Sequence, residues 1–165
     1  MTSANTNVVT PKIVWPAANT RDERAFASLG AADSKEDESR VGAMLGRSPV
    51  VVLAPTNITF KHPTFVVGPE YYALTGHVDG LTIAIQGKRA AHRYDDIAPI
   101  PGDRVLRGGH GFVSINEGIR TTSWIENGAA YSVDVECADA TDERCTAESF
   151  IVELTSHLAF AGGSR

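Results

Sequence analysis

The chain is 165 residues long, 42% hydrophobic and 21% charged, a make-up that supports one globular core with a tail and excludes two ordinary domains. A formal charge of -5 gives it no general attraction for phosphate backbones or anionic lipid headgroups, so nucleic-acid binding is disfavoured. The longest apolar run, residues 50–54 between Pro49 and Pro55, falls far short of the roughly 20 residues a membrane-spanning helix needs, so no transmembrane segment is expected.

Residues 1–9 have neither a basic nor an apolar leader region, and the expectation is that any export signal has been removed. From residue 1 to 47 the chain is polar and rich in Ala, Ser, Asn and Asp, with Ile13, Val14 and Trp15 as isolated anchors between Pro11 and Pro16. This predicts an extended N-terminal arm. Within it the Ser34 hydroxyl, the early carboxylates of Glu36 and Asp37, and the stripe Val41, Met44, Leu45 predict one short helix over 34–45.

From residue 48 to 163 the pattern is that of an α+β domain. Apolar runs bounded by Pro and Gly predict strands at 50–53 and 64–67, and two more at 70–75 and 81–86 flank the hairpin signal Asp79-Gly80. Residues 93–104, with Asp95, Asp96, Pro99, Pro101 and Gly102, read as a loop. Strands follow at 112–115, 119–125 and 129–137, joined through Asn116-Glu117-Gly118 and Asn127-Gly128. Asn-Gly offers the two positive-φ positions of a type I′ turn. In the last strand Tyr131, Val133, Val135 and Cys137 share one face and Ser132, Asp134 and Glu136 the other, so one side of the sheet must be covered. Ala147, Phe150, Ile151, Leu154 and Leu158 recur at helical spacing, which predicts a C-terminal amphipathic helix over 146–160, capped by Thr146 and stopped by Gly162-Gly163. The predicted architecture is an antiparallel β-meander covered on one face by that helix.

The run Trp124-Ile125-Glu126-Asn127-Gly128-Ala129-Ala130-Tyr131, followed by a polar link and an amphipathic helix, resembles the closing hairpin and helix of small bacterial cell-envelope domains, including uncharacterised modules attached to anti-sigma factors. The resemblance spans residues 119–163. It implies a ligand- or partner-binding envelope domain and carries over no catalytic residue.

Cys137 and Cys145 are the two cysteines, separated by a polar link short enough to close. A disulfide stapling strand to helix is expected, which would place the chain in the periplasm or outside the cell; free thiols would place it in the cytoplasm. The spacing is not C-x-x-C. His62, His77, His92, His110 and His157 lie mostly in or beside turns without metal-ligand spacing, so neither a metal nor a cofactor is expected. Gly108-Gly109-His110-Gly111 reads as a mobile turn, because a strand and no Gly-Lys-Ser/Thr follows it. No nucleophile motif is present, and the acid pairs Asp95-Asp96 and Asp142-Glu143 read as solvated loop residues. Asn57-Ile58-Thr59 is a glycosylation sequon, meaningful only in a eukaryotic secretory protein. Lys88 and Arg89, with Arg93, and Arg104 with Arg107 are modest basic clusters on an acidic body, available to an acidic partner.

The expected function is a non-enzymatic binding or assembly module of a bacterial cell envelope, engaging a protein or apolar ligand through the sheet domain and the arm. Trp15 is its expected anchor for a protein partner, with Lys88, Arg89 and His110 as further binding residues. The alternative is a small hydrolase-like enzyme using His110 and a neighbouring carboxylate. An enzyme should show a deep apolar pocket with convergent polar groups, a binding module a flat or grooved apolar patch.

Overall fold

Alternating side chains and four glycine-containing turns build one large sheet. The computed structural model describes residues 6–31, 33–89, 91–94, 98 and 100–163. Its main sheet contains β3 (Lys61–Val67), β4 (Tyr71–Val78), β5 (Leu81–Lys88), β7 (Arg104–Leu106), β8 (Gly109–Asn116), β9 (Ile119–Glu126) and β10 (Ala129–Cys137), in the order β3-β4-β5-β10-β9-β8-β7. Every pairing is antiparallel. Asp79-Gly80, Arg107-Gly108, Glu117-Gly118 and Asn127-Gly128 each hold two successive positive φ angles, between 41° and 83°, as type I′ turns require. Two meanders therefore meet where β5 pairs with β10, from Leu81↔Cys137 to Ala130↔Lys88.

On one face of this sheet Tyr72, Leu74, Ile83, Ile85, Val133 and Val135 are completely buried. The layer above them is assembled from both ends of the chain. It includes α1 (Glu23–Phe26), a wide helical turn at Ala27–Ala31, α2 (Lys35–Leu45), β2 (Val52–Pro55), α3 (Glu143–Thr146), α4 (Ser149–Ser156) and β11 (Leu158–Gly162), with β11 antiparallel to β2. Two tyrosines of the sheet fix this layer. The Tyr131 hydroxyl donates to the Val51 carbonyl at 2.7 Å, and the Leu53 N–H donates to the Tyr72 hydroxyl at 3.1 Å. Burial pushes both phenols well above the ordinary tyrosine range, so they remain neutral donors and acceptors. A separate ribbon pairs β1 (Thr6–Val9) with β6 (Ala91–Tyr94).

Residues of the predicted arm, 1–47, contribute to the packing around the sheet. Ala25, Phe26, Leu29, Val41 and Leu45 lie in the same core as the sheet, and the Phe60 N–H donates to the Ser28 carbonyl at 3.0 Å. Polar composition concealed this, because one apolar stripe per short helix is enough to dock it. The helix predicted over 34–45 is α2, and Ser34 caps it by accepting from the Asp37 N–H at 3.1 Å.

The single helix predicted over 146–160 is replaced by three elements. Thr146 ends α3 and does not cap a long helix, Ala147 is extended at φ -106°, and α4 stops at Ser156. Leu158 and Ala161 are buried as members of β11, not as further turns of helix, and Gly162 is the last residue of that strand. Val52–Pro55 is buried along its whole length and its backbone groups need hydrogen-bond partners; the Tyr72 hydroxyl serves the Leu53 N–H, and a second strand serves the ladder. Leu158↔Pro55 and Phe160↔Leu53 provide that pairing.

Two further expectations change. The predicted loop over 93–104 begins inside β6 and ends at β7, and Gly109, His110 and Gly111 belong to β8 instead of a mobile turn. Gly111 suits that strand because a Cβ there would sit 2.6 Å from both the Leu106 side chain and the Ser123 carbonyl. Among the described residues no helix is long and apolar enough to cross a membrane.

Candidate functional site

The residues that alternate with the core set form the second face of the seven-stranded sheet. Strand register lays them out in rows. One row runs Val66, Ala73, Gln86, Ser132, Ser123, Phe112; the next runs Thr64, Thr75, Ala84, Asp134, Thr121, Ser114. None of these twelve is buried. Apart from Gln86 the side chains at the centre are short, and the larger apolar ones stand towards the two edges of the sheet. Val66 and Tyr71 are 49% and 40% exposed on one side; Val105, Phe112 and Ile125 are 75%, 42% and 76% exposed on the other. Within the second row the Thr121 hydroxyl donates to Asp134 Oδ1 at 2.5 Å, which lays the carboxylate across the strands. The formal charges on this face are Lys61, Lys88, Asp134 and Glu136, so it is poor in charge for its size.

The structure distributes the sequence-predicted residues over different places. His110 pairs with Val105 on the open face and is exposed, and among the described residues no carboxylate hydrogen-bonds to its ring. Lys88 is exposed at the end of β5, in register with Tyr71 and Ala130. Its neighbour Arg89 is turned to structural use: its N–H donates to the Glu70 carbonyl at 2.9 Å and its Nε lies 3.3 Å from Glu70 Oε2. Trp15 is half-buried against the chain's own core. With Arg21, Phe26, Leu45, Phe160 and Gly163 it lines a cavity of about 210 Å³, where the Arg21 guanidinium stacks 3.9 Å above the Phe26 ring. The sulfurs of Cys137 and Cys145 are within disulfide-bonding distance, with Cα atoms 6.1 Å apart. Asp95 and Asp96 lie outside the described residues.

Sequence reading missed what three arginines do. Arg107 reaches from its turn under the end of α4, where Nη1 donates to the Thr155 carbonyl at 3.2 Å and the Leu158 carbonyl at 2.5 Å. Its Nε and Nη2 donate to Glu126 at 2.6 and 3.1 Å, and the Trp124 indole N–H donates to the same carboxylate at 2.9 Å. Arg120, buried within the core face, donates to the carbonyls of Cys145 and Thr146 at 3.0 and 2.9 Å and so closes α3. Arg144 binds Asp142 at 2.6 Å and the Asp79 carbonyl at 2.8 Å, fastening the β4–β5 turn to α3. The Arg144 guanidinium and backbone N–H beside Asp142 lower its carboxyl pKa to about 2. The only local signal was the Arg-Gly dipeptide at 107–108, because the carbonyls these cations satisfy come from distant segments.

Among the described residues no group of three or more His, Cys, Asp or Glu converges as a metal site. Two open clefts carry polar side chains. One, about 330 Å³, lies along His77, Thr82, Glu136 and Cys137, where His77 Nδ1 and Thr82 Oγ1 share a hydrogen bond at 3.2 Å. The other, about 440 Å³, lies between Asp33, Arg40, Lys61 and His62. Comparison with family models, curated proteins and solved structures finds no match to this chain, so its chemistry is read from this geometry.

Proposed function

We propose that the protein is a non-enzymatic binding or assembly module of a bacterial cell envelope. It engages a protein or apolar ligand through its sheet, with the N-terminal segment as a second contact at the Trp15 cavity. The observation that supports this reading is the open sheet face, which leaves Val105, Phe112 and Ile125 in water while Tyr72, Leu74, Ile83, Ile85, Val133 and Val135 of the opposite face are completely buried. Exposed apolar side chains flanking a charge-poor, hydroxyl-rich centre suit a face that meets a partner. Periplasmic or extracellular placement draws support from the Cys137–Cys145 pair, which suits an oxidising compartment, and from the resemblance of residues 119–163 to envelope domains.

Site-directed photo-cross-linking in the producing cell tests this reading. A photoreactive side chain at Ile125 should give protein adducts, and one at Glu38, exposed on α2, should give none. Absence of any adduct from the open face would overturn the proposal. Alkylation of unreduced protein from separated cell fractions checks compartment: both cysteines should resist labelling in an exported fraction.

A further inference from the structure

We propose that the partner of the open face is a second copy of this chain, stacked face to face about a two-fold axis that lies between the two sheets and runs across the strands. This inference rests on the reading of the sheet as the binding element and names its occupant. Lateral growth of the sheet is blocked at both edges. Edge strand β3 contains Pro63 and shifts register between Lys61 and Thr64, and edge strand β7 is three residues long. Association through the sheet therefore uses a face, and one face is already filled by the core.

The free face has the size and shape that such a contact needs. Strands about 4.8 Å apart and eight residues of about 3.3 Å each give it on the order of 800 Å², the area one partner contributes to a standard stable interface. Ala84, Ser132, Thr121 and Ser123 at its centre are short side chains that let two sheets approach to about 10 Å, with Gln86 and the Asp134 carboxylate, held by the Thr121 hydroxyl, as the larger polar groups between them.

Charge sets the orientation. Lys88 stands in register with Ala130 at one end of the β5–β10 pair, and Glu136 in register with Thr82 at the other end. A two-fold axis across the strands reverses strand ends, so each Lys88 meets Glu136 of the second copy and the contact occurs twice. The same operation brings Ile125, near one end of β9, towards Ile119 of the second copy, at the other end. An axis along the strands would instead set each Lys88 over the end that carries Lys88 in the second copy, and like charges would oppose it.

Sedimentation equilibrium of the full chain over a wide concentration range tests the proposal, with a reversible monomer–dimer equilibrium expected. Ala84→Arg at the centre should weaken it by tenfold or more, and Ser123→Lys does the same work should the first variant fold poorly. Lys88→Glu and Glu136→Lys should each weaken the dimer several-fold, and the double exchange should restore it. Circular dichroism and an intact Cys137–Cys145 link confirm folding. A wild type that remains monomeric, a dimer unmoved by the central variants, or a charge exchange that fails to restore affinity overturns the inference. Cross-linking from position 125 separates the two readings. A self-adduct supports the second copy; an adduct to another protein alone overturns this inference and leaves the binding module standing; no adduct overturns both.

Discussion

Leu74 and Thr75 are neighbours on one strand, yet they sit on opposite sides of the sheet in different physical regimes. Leu74 is fully buried among side chains from segments far away in sequence, and Thr75 looks out between Thr64 and Ala84. The pleat alone assigns them to different faces. What differs between the faces is the source of the opposing surface: the covered face is roofed by elements from both chain ends, and on the open face none of the described residues of the two central rows is buried. One face of the sheet thus serves stability, and the other is the surface that the proposed binding would use.

Substitutions that probe each face should separate these roles. The largest effect is expected from Leu74→Ala, which removes a fully buried side chain and leaves a cavity, at a cost of about 2–5 kcal/mol in chemical denaturation. A loss under about 1 kcal/mol would mean that the roof collapses onto the sheet and is not rigidly packed. Replacing Cys137 and Cys145 together by Ser should cost about 2–3 kcal/mol, the loop-closure value for so short a link, measured under non-reducing conditions against wild type.

Arg107→Met keeps the stem of the side chain but removes its donors from the Thr155 and Leu158 carbonyls and from Glu126. A cost of about 1–3 kcal/mol is expected, because the Glu126 carboxylate is left partly buried with the Trp124 indole as its remaining donor. The Asp142–Arg144 contact should appear as a pH effect. The Asp142 carboxyl is lowered from 3.8 to about 2 in the folded chain, so its contribution is fully present above pH 3.8 and is lost as the pH falls through about 2. Asp142→Asn should flatten the stability–pH curve within that window and leave it unchanged near neutrality in slope. The smallest effect belongs to the open face, where Thr75→Ala should change stability by less than about 0.5 kcal/mol, as measured on the monomer at high dilution. A larger loss there would show that this face is not free.

How far each feature could be read from the residues depended on the range of the forces that make it. Turns at Asp79-Gly80 and Asn127-Gly128 and the cap of α2 at Ser34 were legible because φ preference and a hydroxyl-to-backbone bond act within four residues. The same holds for the alternation of Tyr131, Val133 and Val135, and for the proximity of Cys137 and Cys145 across a short link. Positions of Trp15, Arg89 and His110 on the molecule were not legible, since each depends on what the fold sets beside it: the residues lining its cavity, the Glu70 turn, and the β7 edge.

Residues 158–162 show where local pattern stops deciding. Their apolar spacing continues that of α4, but the backbone of Val52–Pro55, about a hundred positions earlier, is buried and must be hydrogen-bonded, and that demand converts a possible last turn of helix into β11. The N-terminal helices follow the same logic. Phe26 and Leu29 have too few apolar neighbours in sequence to build a core, and they become core because the sheet offers a face already made. Local chemistry therefore determined the strands that alternate between tight turns, the turns themselves, the closeness of the two cysteines and the two-sided pattern of the sheet, whereas tertiary packing decided β11 and which segments roof the sheet, because burial is settled by surfaces that meet only after the chain has folded.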